Sequence, residues 1–176
     1  MIPVNFDLCN LTPAHNLGVF DCAVDDLNEF LKEESNDYQE ELLAKTYLLT
    51  NSENGDVVAF YSLLNDVIRL ENTEKSIRNR INRKIPFSKH RNHYPAVKVG
   101  RLAVDKNYAR HGIGRLILDS VKYIFTHGNR TGCRFLTVDA LAEATSFYER
   151  NGFRFFTQQD RDQDTLLMYF DLKDFV

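Results

Sequence analysis

The stretch Gly100-Arg101-Leu102-Ala103-Val104-Asp105, followed by Tyr108-Ala109-Arg110-His111-Gly112-Ile113-Gly114-Arg115-Leu116, decides how the rest of this chain is read. Ala96 to Val104 is a strand candidate with Val97 and Val99 on one side, and Ile113, Leu116, Ile117, Val121, Ile124 and Phe125 then recur at helical spacing until Gly128. A strand therefore passes through a glycine-containing turn into a helix. Glycines there let backbone approach a ligand, and the first amides of a helix, lacking carbonyl partners, point outward toward an anion. Arg110, His111 and Arg115 add charge at the same end, as ordinary solvated loop residues also would. Cys133 to Val138 is the next apolar run and completes a strand, helix, strand unit, for which parallel pairing is the default.

Elements upstream and downstream of this unit alternate without repeats or low-complexity linkers. Val4 to Leu11 looks like a strand, Asp25 to Glu33 an amphipathic helix with its acidic residues early, and Asn36 to Leu43 a second helix. Thr46 to Asn51 and Val57 to Leu64 are strands joined by Asn54-Gly55-Asp56, a hairpin signal. Ile77 and Ile81 suggest a short helix stopping before Pro86, with irregular chain to Pro95. Ala142 to Arg150 reads as a helix ended by Asn151-Gly152, and Phe153 to Phe156 and Thr165 to Asp171 as closing strands. The order is mixed α/β, antiparallel first and parallel in the middle.

At 176 residues the chain fits one domain, and 43% apolar with 27% charged residues excludes the disordered and membrane classes. Cys9, Cys22 and Cys133 are scattered, with no C-x-x-C pair, so neither a disulfide framework nor a metal site is expected. Without a basic and apolar leader or a long apolar span, the expectation is cytoplasmic, with no membrane contact. Charge is segregated: nine Lys or Arg and no acid lie between Lys75 and Arg101, leaving 13 basic against 25 acidic residues elsewhere. That block is interleaved with Phe87, His90, His93 and Tyr94, and it faces either a polyanion or water.

Three phosphate-loop readings compete for the turn. A P-loop needs Gly-Lys before Ser or Thr, and no such dipeptide exists here. A dinucleotide fingerprint needs a third glycine where Ile117 stands and a tighter turn than Asp105 to His111 allows, although Asp139 could imitate its ribose-binding acid. In the third reading the segment resembles the acetyl-CoA motif of GNAT acetyltransferases: Gln or Arg, two variable residues, Gly, one variable, Gly or Ala. Ala109 departs from that pattern. A second feature, Ala144-Thr145-Ser146-Phe147-Tyr148-Glu149-Arg150-Asn151-Gly152-Phe153, resembles the family's Ala-x-x-Phe-Tyr-Glu-x-x-Gly-Phe. Taken singly, Phe147 and Phe153 read as core residues, Gly152 as a helix cap and Tyr148 as a core tyrosine.

The resemblance implies a single GNAT-type α/β (α+β) domain over residues 1–176. Its sheet would be mixed, mostly antiparallel and twisted, with a central splayed pair of parallel strands and helices on both faces. It implies acetyl-CoA as cosubstrate, its pantetheine arm paired with Leu102, Ala103 and Val104. The diphosphate would lie at Arg110, His111, Gly112, Ile113, Gly114 and Arg115, with Ala109 and Ser146 also at the coenzyme. A neutral amine would attack the thioester directly, and Tyr148 would protonate the departing thiolate. The base stays open among Glu143, Asp139, Asp66 and His93, and Cys133 reads as core rather than nucleophile.

Phe20-Asp21-Cys22, Asp26-Leu27-Asn28-Glu29-Phe30-Leu31 and Phe60-Tyr61-Ser62-Leu63 resemble the branch of GNAT toxins that acetylate aminoacyl-tRNA. That resemblance implies tRNA at the Lys75 to Arg101 block, with Tyr94 and Phe87 stacking on unpaired bases, and it allows for an antitoxin partner and a homodimer. A small-molecule or protein amine is the alternative acceptor. A non-catalytic acyl-CoA-binding module is the alternative of another class.

Overall fold

A computed structural model describes residues 5–157 and 164–176. The strands are β1 (Phe6–Asn10), β2 (Lys45–Asn51), β3 (Val57–Arg69), β4 (His93–Val104), β5 (Phe135–Leu141), β6 (Arg154–Phe155) and β7 (Thr165–Asp171). The helices are α1 (Asp25–Glu29), α2 (Ser35–Glu40), α3 (Lys75–Asn82), α4 (Ile113–His127) and α5 (Thr145–Arg150). The strands form one mixed sheet in the order β1-β2-β3-β4-β5-β7-β6. Backbone contacts divide the chain into two compact units, Met1–Leu64 with Val99–Ile124 and Asn65–Lys98 with Phe125–Val176.

In the first unit, β1 pairs antiparallel with β2, and β2 with the first half of β3. The turn between β2 and β3 is closed by Asn51 N–H donating to Asp56 O at 2.9 Å and Gly55 N–H to Asn51 O at 2.8 Å. Gly55 has φ +76°, a left-handed backbone that a glycine adopts without strain. The first seven residues of β3 are all buried, and Phe20, Phe30 and Phe60 meet there, with ring centroids 5.5 Å apart for Phe20 and Phe60 and 6.1 Å for Phe30 and Phe60. Leu11, Leu31, Leu48 and Ala103 complete this core.

The two helices expected between Asp25 and Leu43 are one continuous run. α1 passes through a π-helical turn (Phe30–Glu34) directly into α2. Ser35, fully buried and lying between the two expected helices, donates its hydroxyl to Leu31 O at 2.6 Å and so is satisfied inside the helix. The run ends at Glu40, and Leu42 adopts φ +58° rather than continuing it.

In the second unit β4 and β5 are parallel, paired only from Ala96↔Phe135 to Lys98↔Thr137, as the strand, helix, strand pattern predicts. β5 continues against β7 along its full length, Phe135↔Asp171 to Leu141↔Thr165, and β6 pairs with β7. Ile68, Leu70, Ile81, Tyr94, Phe135 and Tyr169 form the core here. Boundaries shift from expectation. β1 begins at Phe6, while the expected start at Val4 lies outside the described residues; β3 runs five residues past Leu64; β4 starts at His93; and β5 starts two residues after Cys133. The helix expected over Ala142 to Arg150 opens as a 3-10 turn (Ala142–Ala144) before α5.

Candidate active site

The turn into α4 is built by backbone conformation. Arg110 has φ +65° and Gly112 φ +79°, so two left-handed residues lie between the 3-10 turn Lys106–Tyr108 and the first helical residue, Ile113. Leu116 N–H donates to Gly112 O at 3.0 Å, and this bond sets the helical register. The amides ahead of it, from Ile113 to Arg115, belong to the first turn of a helix, where no intrahelical carbonyl is available. Arg110, His111, Gly112 and Arg115 are exposed. Beside the turn lies an open groove of about 550 Å³ bordered by Phe6, Tyr108, His111, Gly112, Ile113 and Leu116. Such a groove suits an anion carried on a larger, partly apolar molecule.

Asp105 fixes the turn from behind. It is buried, its Oδ1 accepts from Asn107 N–H at 2.9 Å and its Oδ2 from Asp21 N–H at 3.0 Å. Lys106 then pairs with Asp21 at 2.7 Å, and that bond, with those from Ala23 N–H and Asn28, holds the Asp21 carboxyl well below the usual carboxylate range. Tyr108 accepts from Asn51 Nδ2 at 3.2 Å and packs edge-on to Phe6. The role of Asp105 is a signal the sequence does carry: an acid at a strand end, two residues before Asn107, is an Asx cap. Gly100 lies against β3 so closely that a Cβ would come 2.7 Å from Leu64 Cδ2.

Leu102 and Val104 are half-buried and Ala103 is buried in the first core. Arg101 stacks over Phe30, with its Cζ 5.1 Å from the ring centroid and Asp26 at 3.9 Å.

In the second unit, Tyr148 is buried on α5 between Phe147 and Phe153, with ring centroids at 5.1 and 5.4 Å. Loss of water around it pushes the phenol up to about 12. The helix ends as Asn151 N–H and Phe153 N–H both donate to Tyr148 O at 3.0 Å. Gly152 takes φ +85°, where a Cβ would also meet Phe170 at 2.9 Å. Ser146 is exposed on α5.

Of the four candidate bases, the structure brings two together. At the last paired rung of β4 and β5, Lys98 Nζ lies 2.8 Å from Asp139 and 3.9 Å from Asp66, and the buried Thr137 hydroxyl donates to Asp66. His93 and Glu143 are exposed elsewhere. Cys133 is half-buried, and burial pushes its thiol up to about 11, which leaves little thiolate near neutrality. Among the described residues no His, Cys, Asp and Glu group is arranged to hold a metal ion, and no helix is long and apolar enough to cross a membrane.

Residues 77–155 match the family model described as Acetyltransferase (GNAT) domain. That stretch is thus similar to a GNAT acetyltransferase domain. Solved structures share the chain's fold over nearly the whole length. A tyrosine-to-phenylalanine mutant of KacT superposes with a TM-score of 0.78 at 23% identity, covering 97% of this chain and 96% of that one. AtaT complexed with acetyl-methionyl-tRNAfMet gives 0.77 at 22% identity, covering 97% of each chain. A tyrosine-to-phenylalanine mutant of the AtaT toxin, bound to the C-terminus of the antitoxin AtaR and acetyl-CoA, gives 0.75 at 20% identity, covering 97% and 95%.

The basic block is not one open surface. Arg78 donates to Leu70 O, Arg80 to Phe155 O and Phe156 O, and Lys84 pairs with Asp174, whereas Lys75, Arg83 and Lys89 are exposed. Phe87 is 88% exposed and stands edge-on to His90. Tyr94 corrects the sequence reading, because it is buried: its hydroxyl donates to Asn82 Oδ1 at 2.6 Å and accepts from Arg91 N–H at 2.9 Å. Its ring is core, with Phe135 at 6.0 Å, and cannot stack on a base.

Proposed function

We propose that residues 1–176 act as a single acetyltransferase domain that moves the acetyl group of acetyl-CoA onto the amino group of aminoacyl-tRNA. The observation that carries the acetyl-CoA part is the left-handed conformation of Arg110 and Gly112 directly ahead of the first helix amides, beside an open groove that Gly112 and Ile113 border. On this reading Arg110, His111, Gly112, Ile113, Gly114 and Arg115 hold the diphosphate, with Ala109 and Ser146 beside the coenzyme, and the backbone of Leu102, Ala103 and Val104 pairs with the pantetheine arm. The acceptor part is supported by the exposed cations Lys75 and Lys89 and the exposed ring of Phe87, and by the likeness to AtaT solved with acetyl-methionyl-tRNA. A toxin of this kind works in a cell with an antitoxin partner, as the AtaT structure holds part of AtaR. It acts in the cytoplasm, where charged tRNA is found, and pairs into a homodimer.

The neutral amine attacks the thioester carbonyl, forming the C–N bond and a tetrahedral oxyanion that the Val104 backbone amide stabilises. Collapse breaks the C–S bond and expels the CoA thiolate, which takes the Tyr148 proton, while the amine's surplus proton leaves to solvent and restores the phenol. A phenol near 12 is a weaker acid than an ordinary thiol at about 8.5. Tyr148 therefore works first as a hydrogen-bond donor to the forming thiolate, and complete transfer follows as the amine's proton is released. The raised value keeps that donor protonated at every physiological pH.

The test is to incubate the purified protein and labelled acetyl-CoA with charged tRNA and, separately, with a panel of small amines and proteins. Label on the aminoacyl group supports the tRNA acceptor. Label confined to free amines or protein removes it and leaves the transferase. No label anywhere, with acetyl-CoA still bound, favours a non-catalytic binding module.

A further inference from the structure

Apart from the groove at the turn into α4, the described residues border a cationic cavity that no bond-making step of acetyl transfer uses. It lies wholly within the second unit, holds about 160 Å³, and is bordered by Arg80, Arg83 and Lys84 at the end of α3, Arg154 on β6, and Asp171 and Asp174 at the end of β7. A single water needs only about 10–15 Å³ of such space, so a tetrahedral oxyanion fits it with solvent around it.

Its charges do not cancel. Asp174 is paired with Lys84, and Asp171 is held by Arg134, whose Nη2 donates to Oδ2 at 2.9 Å. Both carboxylates are thus already neutralised, one by a residue outside the lining. Arg80, Arg83 and Arg154 remain, and none of them forms an ion pair among the described residues. Arg80 is braced: it donates to Phe155 O at 2.9 Å and Phe156 O at 2.6 Å, and its guanidinium lies over the Tyr169 ring at 5.6 Å. A braced guanidinium with two exposed ones lining the same small space is poor for stability, because like charges repel. It is good for an oxyanion, which planar N–H forks match in geometry and charge.

We infer that this cavity is a binding site for a phosphate group. The site stands apart from the acetyl-CoA part of that reading, since none of its residues is among those proposed to hold the coenzyme.

The test is an NMR titration of the full-length protein with sodium phosphate, against sodium chloride at matched ionic strength, following the amides of Gly152 and Arg154. Those of Gly112 to Arg115 are followed separately, so binding at the α4 turn cannot be mistaken for binding here. The expected result is a saturating shift at Gly152 and Arg154 with phosphate only. The double substitution Arg83→Ala with Arg154→Ala, both exposed, weakens it at least tenfold with the melting curve intact, while Lys75→Ala, in the same basic block but outside the cavity, changes it less than twofold. A linear shift equal to that in chloride, or saturation unchanged in the double variant, overturns the inference. Competition identifies the source: displacement by a 5′-phosphorylated RNA hairpin and not by its 5′-hydroxyl form assigns a nucleic-acid terminus, and displacement only by a free phosphomonoester assigns a small molecule. Either supports the site.

Discussion

The turn at Arg110 to Gly112 and the packing around Tyr148 are built in opposite ways. The first is made of backbone, with two positive φ angles and a row of helix amides, held from behind by a buried carboxylate on two peptide N–H groups. The second is made of side chains, a phenol among phenylalanines that owes its properties to exclusion of water. A backbone site tolerates changes in side chains that keep its dihedral angles. A desolvated side-chain site depends on one atom. Substitution should therefore damage the two in different ways, affinity for the first and turnover for the second.

The sharpest contrast is expected from Tyr148→Phe, which removes one oxygen from an otherwise preserved core. Turnover should fall roughly 100- to 10,000-fold, the usual contribution of a positioned acid, with acetyl-CoA affinity within about threefold of the parent. Parallel loss of affinity, seen by calorimetry, would erase the distinction between the two regions. Asp105→Ala comes next. It strands the Asp21 and Asn107 amides and should cost about 1–3 kcal/mol in chemical denaturation, together with acetyl-CoA affinity, while Asp105→Asn recovers part of both. Gly112→Ala should cost about 1–2 kcal/mol because a side chain resists the left-handed conformation. For a chain of this size that is a melting shift of roughly 2–8 °C. The smallest effect is expected from Arg115→Ala, which removes a side chain beyond the backbone cradle and should weaken acetyl-CoA only about two- to tenfold.

The pH dependence sharpens the same comparison. Burial raises the Tyr148 phenol above a free tyrosine, so the protonated form is the one the fold favours. Its contribution to stability is intact below about pH 10 and is lost as pH rises toward 12. Turnover should likewise show no limb from this group between about pH 6 and 9. A limb in that range that vanishes in Tyr148→Phe would contradict the assignment.

The turn was legible because its signal is local: two glycines, the cations and an apolar period of 3.6 fall within one short stretch. The parallel pairing of β4 and β5 followed from the same pattern. What sequence reading missed depends on long-range partners. Ser35 reads as a boundary until its hydroxyl is seen closing on Leu31 O, and Tyr94 reads as a stacking platform until Asn82 and the Arg91 amide claim its hydroxyl. Asp66 and Asp139 are separated by 73 positions, and only the sheet brings both to Lys98.

Titration of the full-length protein with acetyl-CoA, followed by calorimetry and by the backbone amides of the α4 turn, bears most directly on the account. It predicts saturable one-to-one heat, with the largest amide shifts at Gly112, Ile113, Gly114 and Arg115. Absence of heat, or binding that leaves those four amides unmoved, would contradict it.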